Sequence, residues 1–134
     1  MIKQISIFAE NQKGAMLKMT GVLVDANINM YSLITNDSAE FGIVRMLVSD
    51  PGTACACFAE AGYLVHSDPV IAVEIGDTPG SLDRLLQVIT ESNINVDYLY
   101  MSYDREIAMP IAVIRTGEEF EVAECLRAKG YTLL

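Results

Sequence analysis

The residues best suited to recognise a polar ligand lie in two short segments that contain asparagine. Asn27-Ile28-Asn29-Met30 returns almost unchanged, 66 positions later (93 − 27), as Asn93-Ile94-Asn95-Val96. The side-chain amides of Asn29 and Asn95 each offer a hydrogen-bond donor and an acceptor. The two segments therefore predict hydrogen bonding to a ligand at two equivalent places in the chain.

A glycine lies ahead of the first helix that is predicted in each half of the chain. Gly14 and Gly80 are also 66 positions apart (80 − 14). Glycine lets a ligand approach the main chain, and the opening N–H groups of a helix lack internal partners and favour an anion. The alternative is conformational, because glycine and asparagine are also common at tight turns and helix ends.

These pairs belong to an internal repeat that covers most of the sequence. Apolar residues match at the same offset of 66, and after a two-residue insertion near positions 104–106 the offset becomes 68, so that Cys57 matches Cys125. Two repeats do not make a solenoid, and we expect a pair of like domains, 1–68 and 69–134. Because a unit of about 65 residues is marginal alone, the halves should pack on each other or on another copy.

Composition limits the possible partners. The chain has 134 residues, of which 51% are hydrophobic, and a net charge of −9. Binding to nucleic acid requires clustered Lys and Arg, and the sequence contains no such cluster. No apolar run approaches the roughly 20 residues that span a bilayer, and the N-terminus does not resemble a signal peptide. We therefore expect no nucleic acid, no membrane and a cytoplasmic location.

Hydrophobic periodicity predicts the same order of elements in both halves. In the first half we expect strand 2–9, helix 15–26, strands 28–35 and 41–48 with a turn at 36–38, a helix from Asp50-Pro51 to 61, strand 63–66 and a link at 67–69. In the second half we expect strand 70–75, helix 80–92, strands 94–102 and 107–114, helix 117–129 with Thr116 and Glu119 as a capping box, and strand 131–134. The order β-α-β-β-α-β predicts an α+β fold of two ferredoxin-like units, with antiparallel sheets paired edge to edge and helices on one face.

The first helix has two apolar stripes. Its core-facing stripe is predicted to comprise Met16, Met19, Val22, Leu23 and Ala26. The other, which we call the outer stripe, comprises Leu17, Gly21 and Val24, and its counterparts in the second half are the polar residues Asp83, Gln87 and Thr90. The outer stripe predicts association into a homodimer or with a regulated enzyme partner. The alternatives are that the chain's own loops cover it or that it is merely exposed.

Four segments carry a resemblance to a known family. Residues 10–16, which read Glu-Asn-Gln-Lys-Gly-Ala-Met, and residues 26–30 resemble the ligand loop and helix exit of ACT domains. Residues 77–82, which include Thr78-Pro79-Gly80, and residues 92–96 resemble the same two features. The likeness occurs twice in register, and the chain is similar to stand-alone tandem ACT proteins.

The resemblance implies a non-catalytic regulatory module that binds a small metabolite, usually an amino acid, at the interface between ACT units. In the family, the loop of one unit and the asparagine after the first helix of its partner share the ligand. The implied ligand-binding residues are Asn11, Gln12, Lys13, Gly14, Ala15 and Asn29 in the first unit and Asp77, Thr78, Gly80, Ser81 and Asn95 in the second. Some serine-binding members carry a histidine where this chain has Ala9 and Ile75, which disfavours serine.

The sequence lacks the groupings that catalysis or metal binding requires. The single histidine, His66, lies in a predicted strand without a nucleophile that the sequence places beside it. Metal-ligand spacings are missing as well, and the three cysteines are expected to be free buried thiols. We expect no enzyme, catalytic residue, metal or cofactor. The alternative to a metabolite-binding regulator is an oligomerisation or protein-interaction module with a vestigial ligand site.

The two predicted loops differ in charge. Asn11 and Lys13 flank the first helix start, whereas Asp77 matches Asn11 in the second unit. Two carboxylates about 4 Å apart repel by roughly 1 kcal/mol in water and about 4 kcal/mol at an effective dielectric of 20. The first loop, completed by Asn95, is therefore predicted to bind a carboxylate better than the second. Asp77 could instead receive the ammonium of a ligand, or cap its own helix when no ligand is present.

Overall fold

The structure is a computed structural model that describes residues 1–35 and 41–134. The chain divides into two compact units, Lys3–Asp68 and a second that joins Met1–Ile2 to Pro69–Leu134. We call them the N-terminal and C-terminal units. The turn predicted at 36–38 lies outside the described residues.

The N-terminal unit packs its helices on one face of an antiparallel sheet. The elements are β1 (Ile2–Glu10), α1 (Ala15–Asp25), β2 (Met30–Thr35), β3 (Phe41–Val48) and α2 (Pro51–Glu60). The strands lie in the order β2-β3-β1, with Ile5 opposite Met46 and Ile7 opposite Val44. Since alternate residues of a strand point to the same face, these four side chains form one apolar surface, and all four are buried.

Both helices contribute to the core on that surface. Met19 and Leu23 of α1 and Phe58 of α2 are buried in it. The ring of Phe58 packs edge to face against Tyr63, with 5.6 Å between centroids. Burial of side chains of this size contributes roughly 1.5–3 kcal/mol each, which explains why these positions recur at helical spacing in the sequence.

The C-terminal unit repeats the arrangement. Its elements are β4 (Leu64–Glu74), which begins before the boundary, α3 (Ser81–Glu91), β5 (Tyr98–Asp104), β6 (Met109–Arg115) and α4 (Glu119–Ala128). The strands lie in the antiparallel order β4-β6-β5. The two residues inserted near 104–106 form a turn, in which Asp104 Oδ1 accepts the N–H of Glu106 at 2.9 Å. The predicted α+β class and the ferredoxin-like units are confirmed.

Several predicted strand boundaries are wrong. β5 begins at Tyr98 instead of at residue 94, and β6 begins at Met109 instead of at residue 107. β4 runs without a break through the link predicted at 67–69, because the φ of Pro69 suits an extended chain and proline removes only one N–H donor. The strand predicted at 131–134 is reduced to a bridge between Leu133 and Val73. It is short because the N–H of Tyr131 still bonds to Leu126 O at the end of α4, at 3.0 Å.

The capping box predicted at Thr116 and Glu119 does not form. The N-cap of α4 is Glu118, without a side-chain cap among the described residues. Thr116 is buried and its hydroxyl donates to the main-chain oxygen of Asn95 at 2.9 Å. Glu119 instead forms an ion pair with Arg115.

Each of the four described helices ends in the same hydrogen-bond pattern. At the end of α1 the N–H of Asn27 donates to Val24 O at 3.0 Å and that of Ile28 to Leu23 O at 2.9 Å. This Schellman motif requires a left-handed residue, which is Asn27 here. The same pair of bonds closes α2 at Gly62, α3 at Asn93 and α4 at Gly130. The asparagine that begins each repeated segment therefore has a conformational role.

The core-facing stripe of α1 is correct except at one position. Met19 and Leu23 are buried, and Val22 and Ala26 pack against them half-buried. Met16 is 37% exposed, because it lies in the first turn and borders an open cavity beside the loop. The cysteines are free but half-buried rather than buried, and burial raises the pKa of the Cys55 thiol.

Candidate functional site

Two helices begin at a glycine instead of at a capping side chain. Gly14 before α1 and Gly80 before α3 are left-handed, with φ of 81° and 88°, and neither helix has a side-chain cap among the described residues. The predicted cap of α2 is confirmed, because Asp50 Oδ1 accepts the N–H of Thr53 at 3.1 Å. The starts of α1 and α3, like that of α4, have no side-chain cap among the described residues and can offer first-turn N–H groups to an anion.

The loop before α1 borders a cavity of about 650 Å³ in the N-terminal unit. The walls are formed by residues 8–10, 12–15, 18 and 61–64. Small-molecule sites typically measure about 300–1,000 Å³, so the cavity can admit a metabolite. Of the residues predicted from the sequence, Gln12, Lys13, Gly14 and Ala15 line it.

This cavity, which we call the loop cavity, presents both signs of charge. Glu10, Lys13 and Lys18 line it and are exposed. One Glu10 oxygen accepts the side-chain N–H of Gln12 at 2.6 Å, and the main-chain oxygen of Glu10 accepts the N–H of Gln12 at 2.9 Å. Neither lysine makes an ion pair with another described residue. A carboxylate and two ammonium groups thus line the same cavity.

Asn11 lies on the other side of the same loop. It borders a separate cavity of about 370 Å³ together with Met16 and Thr35. Gln12 and Ala15 border both cavities, whereas Lys13 and Gly14 border only the larger of these two. The predicted residues of the first loop are therefore divided between two cavities.

The loop before α3 is bonded to its own side chains. Thr78 Oγ1 and Ser81 Oγ are 3.0 Å apart, and Arg84 Nη2 donates to Ser81 Oγ at 3.3 Å. A methyl group placed on Gly80 would lie 3.2 Å from Arg84 Nη1, so the guanidinium lies beside Gly80 at the helix start. By contrast, a methyl group on Gly14 would meet nothing within 4 Å.

The repeat explains this difference residue by residue. The position that matches Ser81 is Ala15 (81 − 66), which has no hydroxyl, and Lys18 matches Arg84 (84 − 66). The N-terminal loop therefore cannot form the Thr78-Ser81-Arg84 network. Asp77 is exposed and lies at the start of the loop before α3.

Asn29 and Asn95 lie far from the loops of their own units. α1 has 11 residues, and at 1.5 Å per residue its ends are about 16 Å apart, so Asn29 does not meet Gly14 within the N-terminal unit. The Asn29 N–H donates to Ser49 Oγ at 3.0 Å, and its carbonyl accepts the N–H of Ser49 at 2.9 Å. The Asn95 carbonyl is held by Thr116. Both side chains are exposed.

Three charged residues beside the loops were not among the predicted site residues. Lys18 and Arg84 each lie four positions after a helix-start glycine (18 − 14 and 84 − 80), one turn along the helix. Glu10 precedes the loop motif directly. The sequence could have indicated Lys18 and Arg84, because both repeats have a basic residue at this position. Residues one helical turn apart lie on the same face, so each of them lies on the side of the helix-start glycine.

Other candidate chemistry is sparse in the described part of the chain. His66 is exposed, and its ring packs edge to face against Phe8 with 6.2 Å between centroids. The described residues contain no group of three potential metal ligands. None of the helices in the described ranges has the length and apolar character to cross a bilayer.

Nearly the whole chain is similar to known proteins. A family model described as an ACT domain pair matches residues 1–128. A solved structure from Bacteroides thetaiotaomicron is 31% identical, with a TM-score of 0.91, and the match covers 99% of this chain and 91% of that one. No curated protein matches the chain.

Two solved regulatory subunits share the fold at lower identity. The regulatory subunit of aspartate kinase from Thermus thermophilus, in a ligand-free form, is 20% identical with a TM-score of 0.68, over 96% of this chain and 90% of that one. The corresponding subunit from Thermus flavus is 22% identical with a TM-score of 0.63, over 94% and 88%. With a family match over residues 1–128 and two ferredoxin-like units in register, the chain belongs to the ACT domain pair family.

Proposed function

We propose that the chain is a non-catalytic regulatory module that binds a free amino acid in the loop cavity of its N-terminal unit. One observation carries the proposal. Glu10, Lys13 and Lys18 line the same cavity of about 650 Å³ beside the uncapped start of α1. A free amino acid bears an ammonium and a carboxylate a few bonds apart, and the residues that line this cavity offer a partner for each.

The charges assign an orientation to the ligand. Its carboxylate would approach Lys13 and the first turn of α1, where Gly14 leaves the main chain accessible. Its ammonium would approach Glu10. An attraction between unit charges at 4 Å is worth about 1 kcal/mol in water and about 4 kcal/mol at an effective dielectric of 20, so Lys13 and Glu10 together can distinguish a zwitterion from a simple acid or amine.

Family membership supports a regulatory role. The aspartate kinase subunits that share this fold are named as regulatory subunits, and we extend regulation to this chain as part of the proposal. Binding of the amino acid would change the activity of an enzyme partner or the self-association of the chain. That a second ACT unit completes the site through Asn95 or Asn29 remains a prediction.

A second candidate is an interaction module with a vestigial ligand site. The observation that favours it is the exposure of Leu17 and Val24 on α1, at 77% and 74%. In that case the loop cavity would bind no amino acid, and α1 would carry the whole function.

A thermal-shift screen separates the two candidates. The chain would be heated with each of the proteinogenic amino acids and with matched carboxylic acids and amines. A ligand at 100 times its dissociation constant adds about 2.7 kcal/mol of stability, which raises the melting temperature by several degrees for a chain of this size. The proposal predicts that an amino acid shifts the transition and that its deaminated and decarboxylated analogues do not.

Variants then locate the site. Lys13→Glu and Glu10→Gln should each remove the shift, whereas Lys3→Glu, a control at the other end of β1, should keep it. A shift that survives Lys13→Glu would place the ligand elsewhere. If no amino acid shifts the wild-type protein, the interaction module is the better account.

A further inference from the structure

The outer stripe of α1 is exposed in the folded chain. Leu17 is 77% and Val24 is 74% exposed, and they lie with Gly21 on the side of the helix opposite the buried residues Met19 and Leu23. At 100° per residue the three outer positions fall within about 60° of one another. In α3 the matching positions carry exposed polar residues, so the stripe is peculiar to the N-terminal unit.

Opposite charges flank the stripe on one side. Lys18 and Asp25 are seven residues apart, which is nearly two turns, and so they lie along the same edge of α1. Both are exposed, and neither makes an ion pair with another described residue. Lys18 stands between the stripe and the loop cavity, which it also lines.

We propose that the outer stripe binds the same stripe of a second copy of this chain, with the two α1 helices antiparallel about a twofold axis near Gly21. In a twofold interface, residue i of one copy contacts residue j of the other, and j contacts i. Antiparallel helices bring the same edge of each copy together in reversed order. Lys18 of each copy then faces Asp25 of the other, and the interface contains this ion pair twice.

The alternative arrangements fit less well. Parallel helices about a twofold axis would place the Lys18–Asp25 edges of the two copies on opposite sides of the interface, so neither charge would meet its opposite across it. A partner of different sequence has no feature in the structure that specifies it. One edge of α1 carries Lys18 near its start and Asp25 at its end. When a second copy runs antiparallel, this edge meets opposite charges at both places, so it is complementary to a second copy of itself.

Gly21 explains how the helices can approach. A methyl group added there would meet nothing within 4 Å in the chain, so the position opens outwards. Glycine inside a helix costs about 1 kcal/mol relative to alanine, and small residues at a helix crossing allow the two backbones to lie close together. Leu17 and Val24 would then pack across the crossing on either side of Gly21.

The experiment is sedimentation velocity over a range of concentrations, without any amino acid. The wild type should show a dimer that dissociates on dilution. Leu17→Asp should raise the dissociation constant by about tenfold or more, because it places a charge at an apolar contact. Asp83→Lys, a charge change at the matching position of α3, should leave the dissociation constant unchanged.

Charge reversal tests the orientation. Lys18→Glu alone and Asp25→Lys alone should each raise the dissociation constant by roughly tenfold, since each places like charges together twice. The double variant restores opposite charges only if Lys18 and Asp25 face each other across copies, and it should dimerise like the wild type. Circular dichroism and the melting temperature of each variant show whether it remains folded.

Two results would overturn the proposal. One is a protein that stays monomeric at every concentration, which leaves the stripe without this occupant. The other is a dimer that Leu17→Asp does not weaken or that the double variant does not restore. These measurements use no ligand. The dimer proposal can therefore be wrong while the amino-acid proposal is right, and the amino-acid proposal can be wrong while the dimer proposal is right.

Discussion

Asn27 and Asn93 adopt the same left-handed conformation, with φ of 55° and 56°, at the ends of α1 and α3. Each donates its N–H back into its helix, Asn27 to Val24 O at 3.0 Å and Asn93 to Thr90 O at 3.1 Å. The most recognisable repeat in the sequence is therefore explained first by helix termination. What remains for a ligand is the second asparagine of each segment, which is exposed.

Substitution of Asn27 tests that role. Asn27→Ala should lower the free energy of unfolding by about 1 kcal/mol, because an alanine in the left-handed region clashes with its own main chain. Asn27→Gly should cost little, since glycine reaches this conformation without strain. Urea denaturation measures both, and Asn29→Ala is the control, with an expected effect within about 0.5 kcal/mol for an exposed side chain. Equal losses in the alanine and glycine variants would contradict the conformational explanation.

Thr116 provides a second test, this time of a buried hydrogen bond. Its hydroxyl donates to Asn95 O at 2.9 Å, and its side chain is 1% exposed. Thr116→Val keeps the shape but leaves the Asn95 carbonyl without this donor, which should cost about 1–3 kcal/mol. Thr116→Ser retains the hydroxyl and should lose less. Chemical denaturation of the pair decides the matter, and a valine variant as stable as the wild type would show that water replaces the bond.

The helix cap at Asp50 predicts a pH dependence. Hydrogen bonds from the side chain and then the main-chain N–H of Thr53 lower the pKa of Asp50 from its ordinary value of 3.8. A lowered pKa means that the folded state favours the carboxylate, so the contribution to stability is present above pH 4 and disappears as the pH falls through the folded pKa. Asp50→Ala should therefore be less stable than the wild type at pH 7, and the difference should shrink at pH 3.

Urea midpoints at the two pH values provide the measurement for Asp50. Glu118→Ala is the matched control, because Glu118 occupies the N-cap of α4 without a side-chain cap bond. At pH 7 its loss of stability should be smaller than that of Asp50→Ala. A difference at Asp50 that is the same at pH 3 and pH 7 would mean that its charge does not contribute to the cap.

The fold was largely predictable because each element has a local signature. Apolar spacing located α1 at 15–26, and the structure has it at Ala15–Asp25. Asp50 and Pro51 marked the start of α2 correctly. Errors arose where a local signal competed with pairing partners: Pro69 indicated a break, but its neighbours Val70 and Ile71 are buried in a continuous strand.

The candidate site was predictable only in outline. Comparison of the repeats located both loops and the glycine that begins the following helix. Both glycines have left-handed φ values in the structure, as expected for a tight turn at a helix start. The comparison did not indicate that Asn11 and Lys13 border different cavities, or that Arg84 reaches back to Ser81. The bond between Arg84 and Ser81 depends on side chains one turn apart in a folded helix, and the division between cavities depends on the path of the loop before α1. Composition and spacing specify neither.

The last prediction concerns how many amino acids bind to each chain. The loop before α3 is occupied by its own Thr78-Ser81-Arg84 network, whereas the loop before α1 opens on a cavity with Glu10 and Lys13. A ligand at the second loop would have to displace the Arg84 guanidinium from Ser81 and would also meet Asp77. Titration calorimetry should therefore find one strong site per chain.

Variants identify which loop that site uses. Lys13→Glu should reduce the affinity for the amino acid by about tenfold or more, because it removes one attraction for the carboxylate and adds a repulsion. Asp77→Asn should leave the strong site unchanged. Arg84→Ala removes the group that lies beside Gly80, and a second, weaker site should then appear in the titration. Two equal sites in the wild type would show that both loops bind, and loss of the strong site in Asp77→Asn would show that the second loop is the one that binds.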